Sequence, residues 1–516
     1  MTTSSILIKI PSCPFSLDAL RPNRTLAQLA TCLKAEDNTT TILDYGTLDM
    51  FERLYPTHIQ NNSDSLIDDI SHEVESTSFN KLFQQWEKMG HPDSIKAHQQ
   101  KIWQECAIEI AEIKDLDFIA LQIDSYDVLS IATMMIPIIK NIQPNLRIMG
   151  LGDLFVQNTH ALAEFAEHFD CIIWGTQPSI LLSVVNHLEQ STIWKQLPYL
   201  AFYDEGHFCL TQQDSGIPET SLPDYSTGTY PALYDSGKLL FFEVEDCPKH
   251  CFPSTECTIE EIQLLQKIFN AQAFQLRGSD TQSLHAEHLA HALIERHINI
   301  RYTRECQIQT TPNSTVSLLS ASGCYGVEFQ IDTGSQRLLD NYYRHPFTVT
   351  QVEKTVRACK FSNIYTVMNL AFPSIEDDYH TLSETFRLTD RCKPHSAPVR
   401  IPAQIHKPLS DLKQRFEIEP NYRNDDELQA DQGELINALN ENGISTHITP
   451  PMALIANLAG YRGLEDDFIH QLMHQLLTGD SLSLKTLVKQ LNRSICKTPN
   501  TVTFSPFTPL QNVVGN

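Results

Sequence analysis

Strand-like apolar runs and amphipathic helical runs alternate along most of this chain, in two separate series. Alternation of that kind selects parallel sheets, because parallel strands need a crossover and a helix is its usual form. In the first series "SSILIKI" (4–10), ended by Pro11, precedes helical "TLAQLATCLKAED" (25–37) and a second strand, "TTTILDY" (39–45). Residues 50–105 are polar and helix-biased and read as an insertion. Alternation resumes with strands "DFIALQI" (117–123), "RIMGLGD" (147–153) and "DCIIWGT" (170–176), each followed by a helical segment. Five such strands predict a doubly wound, flavodoxin-like α/β domain over 1–194. In that architecture ligands sit at the carboxyl ends of the strands, at the switch point. The residues there are Asp124, Ser125 and Tyr126, then Gly152 and Asp153, then Gly175, Thr176 and Gln177.

Residues 195–237, with "GIPETSLPDYSTGTYPALYDSG", concentrate Pro and Gly and read as a linker. The second series opens at "KLLFFEVEDC" (238–247). Further strands are "AFQLRGSD" (273–280), "NIRYTREC" (299–306), "GVEFQID" (326–332), "IYTVMNLAF" (364–372) and "PVRIPAQI" (398–405). Helical segments separate them, and polar residues gather at strand ends. That pattern predicts a TIM-like (β/α) barrel or a partial one over 238–406. From 407 to 516 the sequence turns charged and helical, predicting a C-terminal helical cap or accessory domain. There "GLEDDFIHQLMHQLLTG" carries an apolar stripe at Leu464, Phe468, Leu472, Met473 and Leu476, with Gly479 as its stop.

At 516 residues the chain exceeds one ordinary core, and 41% hydrophobic residues support several. A net charge of −25 gives no general attraction for nucleic acid or anionic lipid. No apolar run is long enough to span a bilayer, so no membrane partner is expected. The start "MTTSSILIKIPSCPFS" reads as a strand and not a signal peptide. With 13 cysteines and no signal, a reducing, cytoplasmic setting is expected.

One group of cysteines is locally clustered: "CPKHCFPSTEC" (247–257), directly after the first strand of the second series. The carboxyl end of a barrel strand is where an active site belongs. Three thiolates, from Cys247, Cys251 and Cys257, would leave one iron of a 4Fe–4S cluster open to a small molecule. Histidine groups are weaker candidates. His285, His288 and His291 do not share one helix face, and His470 and His474 lack the Glu of a zinc helix, having Gln471 in its place.

The sequence resembles the cobalamin-binding radical S-adenosylmethionine (SAM) family from roughly residue 4 to 400. "SCPFSLDALRPNRTLAQLATCLK", "LQIDSYDVLSIA", "IMGLGDLF" and "IIWGTQPSILLSVV" resemble that family's cobalamin domain. "LPDYS" followed by "LLFFEVEDCPKHC" resembles its linker and cluster strand. The most specific piece is "SASGCYGVEFQIDTGSQRLLDNYYRHPFTVTQVEKTVRACKFSNIYTVMNLAFPSIEDDY", which looks like its fourth strand, helix and fifth strand. The resemblance places Cys247 and Cys251 on the first two cluster positions and Ser254 on the third. Three readings stand: Cys257 supplies the third thiolate, the cluster is lost, or Ser254 ligates or two cysteines suffice. For SAM the resemblance implies Arg277, Gly278, Ser279 and Asp280, then Glu328, Gln330, Asp332 and Ser335, then Asn369. For cobalamin it implies the first-domain strand ends named above. No Asp-x-His-x-x-Gly motif occurs, so no histidine ligand to cobalt is expected from that motif.

The implied activity is cleavage of SAM to a 5′-deoxyadenosyl radical, hydrogen abstraction from an unactivated carbon, and methyl delivery from methylcobalamin. It suits a methyltransferase or a related radical C–H modification in natural-product or peptide maturation. The implied partners are a small-molecule or peptide substrate and an electron donor such as flavodoxin or ferredoxin. The rival expectation is a catalytically degenerate protein that keeps the fold and assists a partner.

Overall fold

The computed structural model describes residues 3–11, 17–35, 38–54, 93–175, 178–188, 190–212, 222–235, 237–247, 255–278, 285–374, 376–401, 425–478 and 481–497. Its first sheet holds β1 (Ser4–Lys9), β2 (Thr39–Asp44), β3 (Phe118–Gln122), β4 (Arg147–Leu151), β5 (Cys171–Ile173), β6 (Leu200–Asp204) and β7 (His207–Leu210). The spatial order is β2-β1-β3-β4-β5-β6-β7, with β1 to β5 parallel and β6 and β7 antiparallel. The order reverses between β1 and β3, which makes that edge the switch point.

Both faces of this sheet are covered. Leu7, Phe118, Ala120 and Met149 share an apolar cluster with helices Arg24–Lys34 and Pro178–Asn186. Ile6, Ile8, Ile119, Leu121 and Ile148 pack with helices Asp93–Ala111 and Tyr126–Ile142 on the other side. Double burial explains why these strands read as almost unbroken apolar runs. The insertion is helical where it is described, and its last helix, Asp93–Ala111, runs past residue 105. The linker expectation needs correction. Residues 195–237 hold the β6–β7 hairpin, which extends the first sheet by two strands. Only two residues separate β6 from β7, Glu205 and Gly206, both at positive φ (48° and 82°). That tight reversal lies in a stretch whose Pro and Gly content signals turns.

The second sheet holds β8 (Phe242–Cys247), β9 (Ala273–Gly278), β10 (Arg301–Cys306), β11 (Cys324–Asp332), β12 (Tyr365–Ala371) and β13 (Val399–Arg400). They are parallel and lie side by side in chain order, as in a partial barrel. Helices Thr255–Phe269, His285–Glu295, Asn313–Ala321, Val349–Phe361 and Tyr379–Cys392 connect them. Phe242, Val244, Phe274, Leu276, Val327, Phe329, Met368 and Leu370 pack outward in one cluster with Ile259, Ile262, Leu289, Leu319 and Val356 of the helices.

The C-terminal region is helical where it is described: Asp425–Glu441, Pro450–Leu458, Glu465–Thr478 and Ser481–Ile495. Two of these helices, Pro450–Leu458 and Ser481–Ile495, seal the amino ends of the barrel strands. Asn457 bonds Arg301 at the start of β10 (2.9 Å), and Ile495 O accepts from Gln272 N ahead of β9 (2.8 Å). Asn492 brackets the entry to β8, accepting from Leu240 N (2.7 Å) and donating to Lys238 O (2.8 Å). Of the expected apolar stripe, Phe468 and Leu472 are buried, whereas Leu464 precedes the helix and is exposed. No helix of the described residues is long and apolar enough to cross a membrane.

Candidate active site

Strand alternation puts every second residue of β8 to β12 on the face opposite the helices. That concave face is polar. One row runs Glu243, Gln275, Thr303, Gly326 and Tyr365 in register. Nearer the carboxyl end, Glu245 pairs Arg277, Glu305 pairs Glu328, and Gln330 pairs Asn369. Arg277, Glu305 and Gln330 are exposed and Glu243, Glu245, Glu328 and Asn369 half-buried, although all lie on the inner face of a curved sheet. The face therefore opens to a space at the carboxyl ends. Below, Gly326 leaves room for the Pro450 ring, 3.1 Å from where a Cβ would stand, so the floor is closed. Thr303 is 1% exposed and its hydroxyl has no partner among the described residues; neither has Gln275 Oε1.

Asn369 Nδ2 donates to Glu328 Oε1 at 2.5 Å. Asp332, at the end of β11 with φ 66°, accepts from Gln330 and lies 2.7 Å from His345 Nε2 and 3.2 Å from Arg400. Burial would raise its carboxyl pKa, but the His345 and Gln330 hydrogen bonds outweigh that and hold it below the usual range. The His345 ring is stacked on Phe347 (4.8 Å, 17°). Ser335 is buried in a turn against helix Tyr379–Cys392, where Thr385 Oγ1 accepts from Gly334 N (2.8 Å).

The first domain presents its switch point to this mouth. Asn23 caps helix Arg24–Lys34 by accepting from Leu26 N (2.8 Å), and its Nδ2 donates to Gln122 Oε1 at the end of β3 (2.7 Å). Gln122 in turn donates to Asp124 (2.9 Å), which accepts from Asp153 N (3.3 Å). Burial raises the Asp124 pKa, opposed by that N–H. Gly152 has φ 125°, and a Cβ there would stand 2.5 Å from Ile123 O, so only glycine fits this strand end. A Cβ on Gly175 would stand 2.7 Å from the Tyr199 ring. Ser125 caps helix Tyr126–Ile142 through Val128 N (3.3 Å), and Tyr126 is exposed with its ring edge-on to Phe165.

Arg24 crosses from the first domain to the barrel. Its Nε and Nη2 donate to the two oxygens of Glu261 (both 2.9 Å), and its Nη1 donates to Glu245 (2.9 Å). Arg21 lies 3.9 Å from Glu243, which lies 3.5 Å from Arg277. Burial opposes the Arg24 charge, but two carboxylates outweigh it and hold the guanidinium more firmly protonated than a free one. Glu261 has one cation and two carboxylate neighbours, so burial prevails and its pKa is raised.

The structure thus brings Glu328, Gln330, Asp332, Asn369 and Arg277 to one concave face, and Asp124, Ser125, Tyr126, Gly152, Asp153 and Gly175 to one domain edge. Cys247 ends β8, and Gly278, its register partner, ends β9. Cys257 sits half-buried in the first turn of helix Thr255–Phe269, and Thr258 Oγ1 ties that turn to Glu245 O (3.2 Å). Thr176, Gln177, Cys251, Ser254, Ser279 and Asp280 lie outside the described residues. Among the described residues no three His, Cys, Asp or Glu side chains converge on a metal position. Sequence reading missed Arg21, Asn23, Arg24, Glu243, Glu245, Glu261, His345 and Arg400. The alternation in "FFEVEDC" could have put Glu243 and Glu245 on the face opposite Phe242 and Val244.

No protein-family model matches the sequence, and no curated protein matches it. Solved structures do. The radical SAM methyltransferase TsrM from Kitasatospora setae, with cobalamin and a 4Fe–4S cluster bound, superposes with TM-score 0.63 at 14% identity, covering 94% of this chain and 100% of that one. The same enzyme with tryptophan substrate and a SAM analogue gives 0.55 at 15% identity, covering 77% and 73%. The cobalamin-dependent SAM radical enzyme OxsB, with aqua-cobalamin and SAM bound, gives 0.52 at 12%, covering 78% and 53%. A largely parallel seven-stranded sheet followed by a parallel six-stranded partial barrel is therefore the fold this chain shares with these cobalamin-dependent radical SAM structures.

Proposed function

We propose that this chain is a cobalamin-dependent radical SAM enzyme, a methyltransferase or a related radical C–H modifier of a small molecule or peptide. The observation that carries the reading is the polar concave face of β8 to β12, closed below by Pro450–Leu458 and open toward the first-domain switch point. The residues present fit the implied groups. The unpartnered Thr303 hydroxyl and Gln275 Oε1 and the Glu328–Asn369 pair offer polar contacts to SAM. Gly152 and Gly175, where a Cβ would meet Ile123 O and the Tyr199 ring, pack closely at the strand ends proposed as the cobalamin edge. Cys247 ends β8 and Cys257 lies in the first turn of helix Thr255–Phe269; with Cys251, which lies outside the described residues, they are the thiolates that would hold a 4Fe–4S cluster. When bound, these groups supply the radical and the methyl donor; the protein orients them and excludes water. A reducing cytoplasmic setting and an external electron donor such as flavodoxin or ferredoxin, which would supply the electron that cleaves SAM, belong to this proposal.

Anaerobic iron–sulfur reconstitution tests the reading, with iron counting and EPR of the reduced protein with and without SAM. About four irons and a SAM-perturbed signal are expected. Cys257→Ala should lose iron. A folded protein that takes up no iron would instead be a degenerate member of the fold, acting as a binding partner, as the serine at position 254 favours.

A further inference from the structure

Arg24 occupies the first position of helix Arg24–Lys34, where the helix dipole disfavours a cation. Its charge is satisfied by the other domain, since Glu245 and Glu261 both belong to the barrel. Those two carboxylates stand on either side of the cysteine segment. Glu245 lies two residues before Cys247 on β8, and Glu261 lies one helical turn after Cys257 on the same helix face. One guanidinium thus spans the strand that leads into the segment and the helix that leads out of it.

The same group is tied to the first-domain ligand edge. Asp124 accepts from Gln122, Gln122 accepts from Asn23, and Asn23 is the chain neighbour of Arg24. Every link is 2.7–2.9 Å, and Arg24 and Glu261 are both largely buried. A charge-assisted, bidentate contact in such surroundings is stiff and geometrically specific.

We propose that Arg24 is a positioning residue: through Glu245 and Glu261 it sets the strand bearing Cys247 and the helix bearing Cys257 relative to the first-domain edge around Asp124, so that occupancy of that edge is felt at the cysteines. The inference rests on the reading above, because it needs iron at the cysteines and a corrinoid at the edge. Coupling between two sites is reciprocal, so it is measurable from either side.

The test uses the full-length protein, anaerobically reconstituted, as wild type, Arg24→Lys and Arg24→Gln, with hydroxocobalamin as probe. Far-UV circular dichroism and a melt establish that each variant folds. Wild type is expected to show an EPR spectrum of the reduced cluster that changes on adding hydroxocobalamin, and a hydroxocobalamin Kd that differs between iron-loaded and iron-free protein. Arg24→Gln should keep both ligands but lose the spectral change and bring the two Kd values together. Arg24→Lys, which keeps the charge without the fork, should fall between. As an iron-free readout, the rate of Cys257 alkylation should depend on hydroxocobalamin in wild type and not in Arg24→Gln. A merely structural role would lower the melting temperature and leave these responses intact. Wild type that takes up no iron or no hydroxocobalamin overturns the enzyme reading and this proposal with it. Uptake of both, with identical responses in wild type and Arg24→Gln, overturns the proposal alone. If Arg24→Gln does not fold, Glu261→Gln, which removes one carboxylate and leaves Arg24 on Glu245, decides by the same criteria.

Discussion

Replacing Lys238 by Met tests the junction where the linker enters the barrel. Lys238 and Asp44 are both fully buried and 2.6 Å apart. Lys238 also donates to Gly46 O (2.8 Å) and Ala19 O (3.3 Å), and Asp44 accepts from Tyr230 and from Gly46 N (2.8 Å). At an effective dielectric of about 20 the pair attracts by about 6 kcal/mol, against a desolvation cost of several kcal/mol per ion. The intact pair is therefore nearly neutral in net worth, but Lys238→Met strands a buried carboxylate and should cost about 3–5 kcal/mol. Tyr230 and Gly46 still serve Asp44, which favours the lower end. Urea unfolding, followed by circular dichroism and tryptophan fluorescence, measures Lys238→Met, Asp44→Asn and the double variant. The double variant should be less destabilised than the two singles together by at least about 1 kcal/mol. Additivity, or a Lys238→Met loss below about 1 kcal/mol, would refute the reasoning. A pH arm sharpens it. Burial pulls the Lys238 ammonium pKa down to about 7 from 10.5, with Asp44 opposing. Between those values the folded state binds fewer protons than the unfolded, so stability from this group rises with pH across that window. Wild type should gain on Lys238→Met as pH rises from about 7 toward 10.

Ser125→Ala should cost about 0.5–2 kcal/mol through the lost cap on helix Tyr126–Ile142, and Ser125→Asp should restore it; equal melting curves would exclude the capping role. Gly152→Ala should lower the melting temperature and abolish hydroxocobalamin binding in an absorbance titration, since φ 125° and the Ile123 carbonyl leave no room for a Cβ. In acid, Asp224 is held at about 2: burial raises it, but Thr229, Ser226 and Lys34 outweigh that. Asp44 and Asp332 are likewise depressed below the ordinary 3.8, against burial, by Lys238 and by the His345 hydrogen bond respectively. Their stabilisation is full above about pH 4 and is lost as pH falls through their folded values, so melting temperature should drop between about pH 4 and 2, and a flat profile there would contradict the assignment.

Local pattern made the strands legible. "AFQLRG" alternates apolar and polar residues because one face meets helices and the other the open mouth, while "YTVMNLA" is buried on both faces except at Asn369. The same alternation makes Glu328, Gln330 and Asp332 of "GVEFQID" readable as one face, whereas Asn369 is reached only through the family resemblance. The β6–β7 hairpin escaped because four- and five-residue strands in a Pro- and Gly-rich stretch carry too little periodicity. Arg24 escaped for a different reason: its partners lie 221 and 237 residues away, and nothing local marks an arginine as belonging to another domain's carboxylates. The seat of the last helices at the amino ends of the barrel was equally invisible, since an amphipathic stripe says that a helix packs and not where.

That seat has a consequence for how the protein is made. Asn492 completes the entry to β8 by bonding Lys238 O across 254 residues of sequence. At a synthesis rate of about 5–20 residues per second, roughly 13–50 seconds separate the appearance of Lys238 from that of its closing partner. During that interval the barrel strands can pair with one another while the apolar underside that will receive Pro450–Leu458 stays uncovered. The nascent chain is thus open at its base for about half of its synthesis, and it is there that a chaperone would have surface to hold.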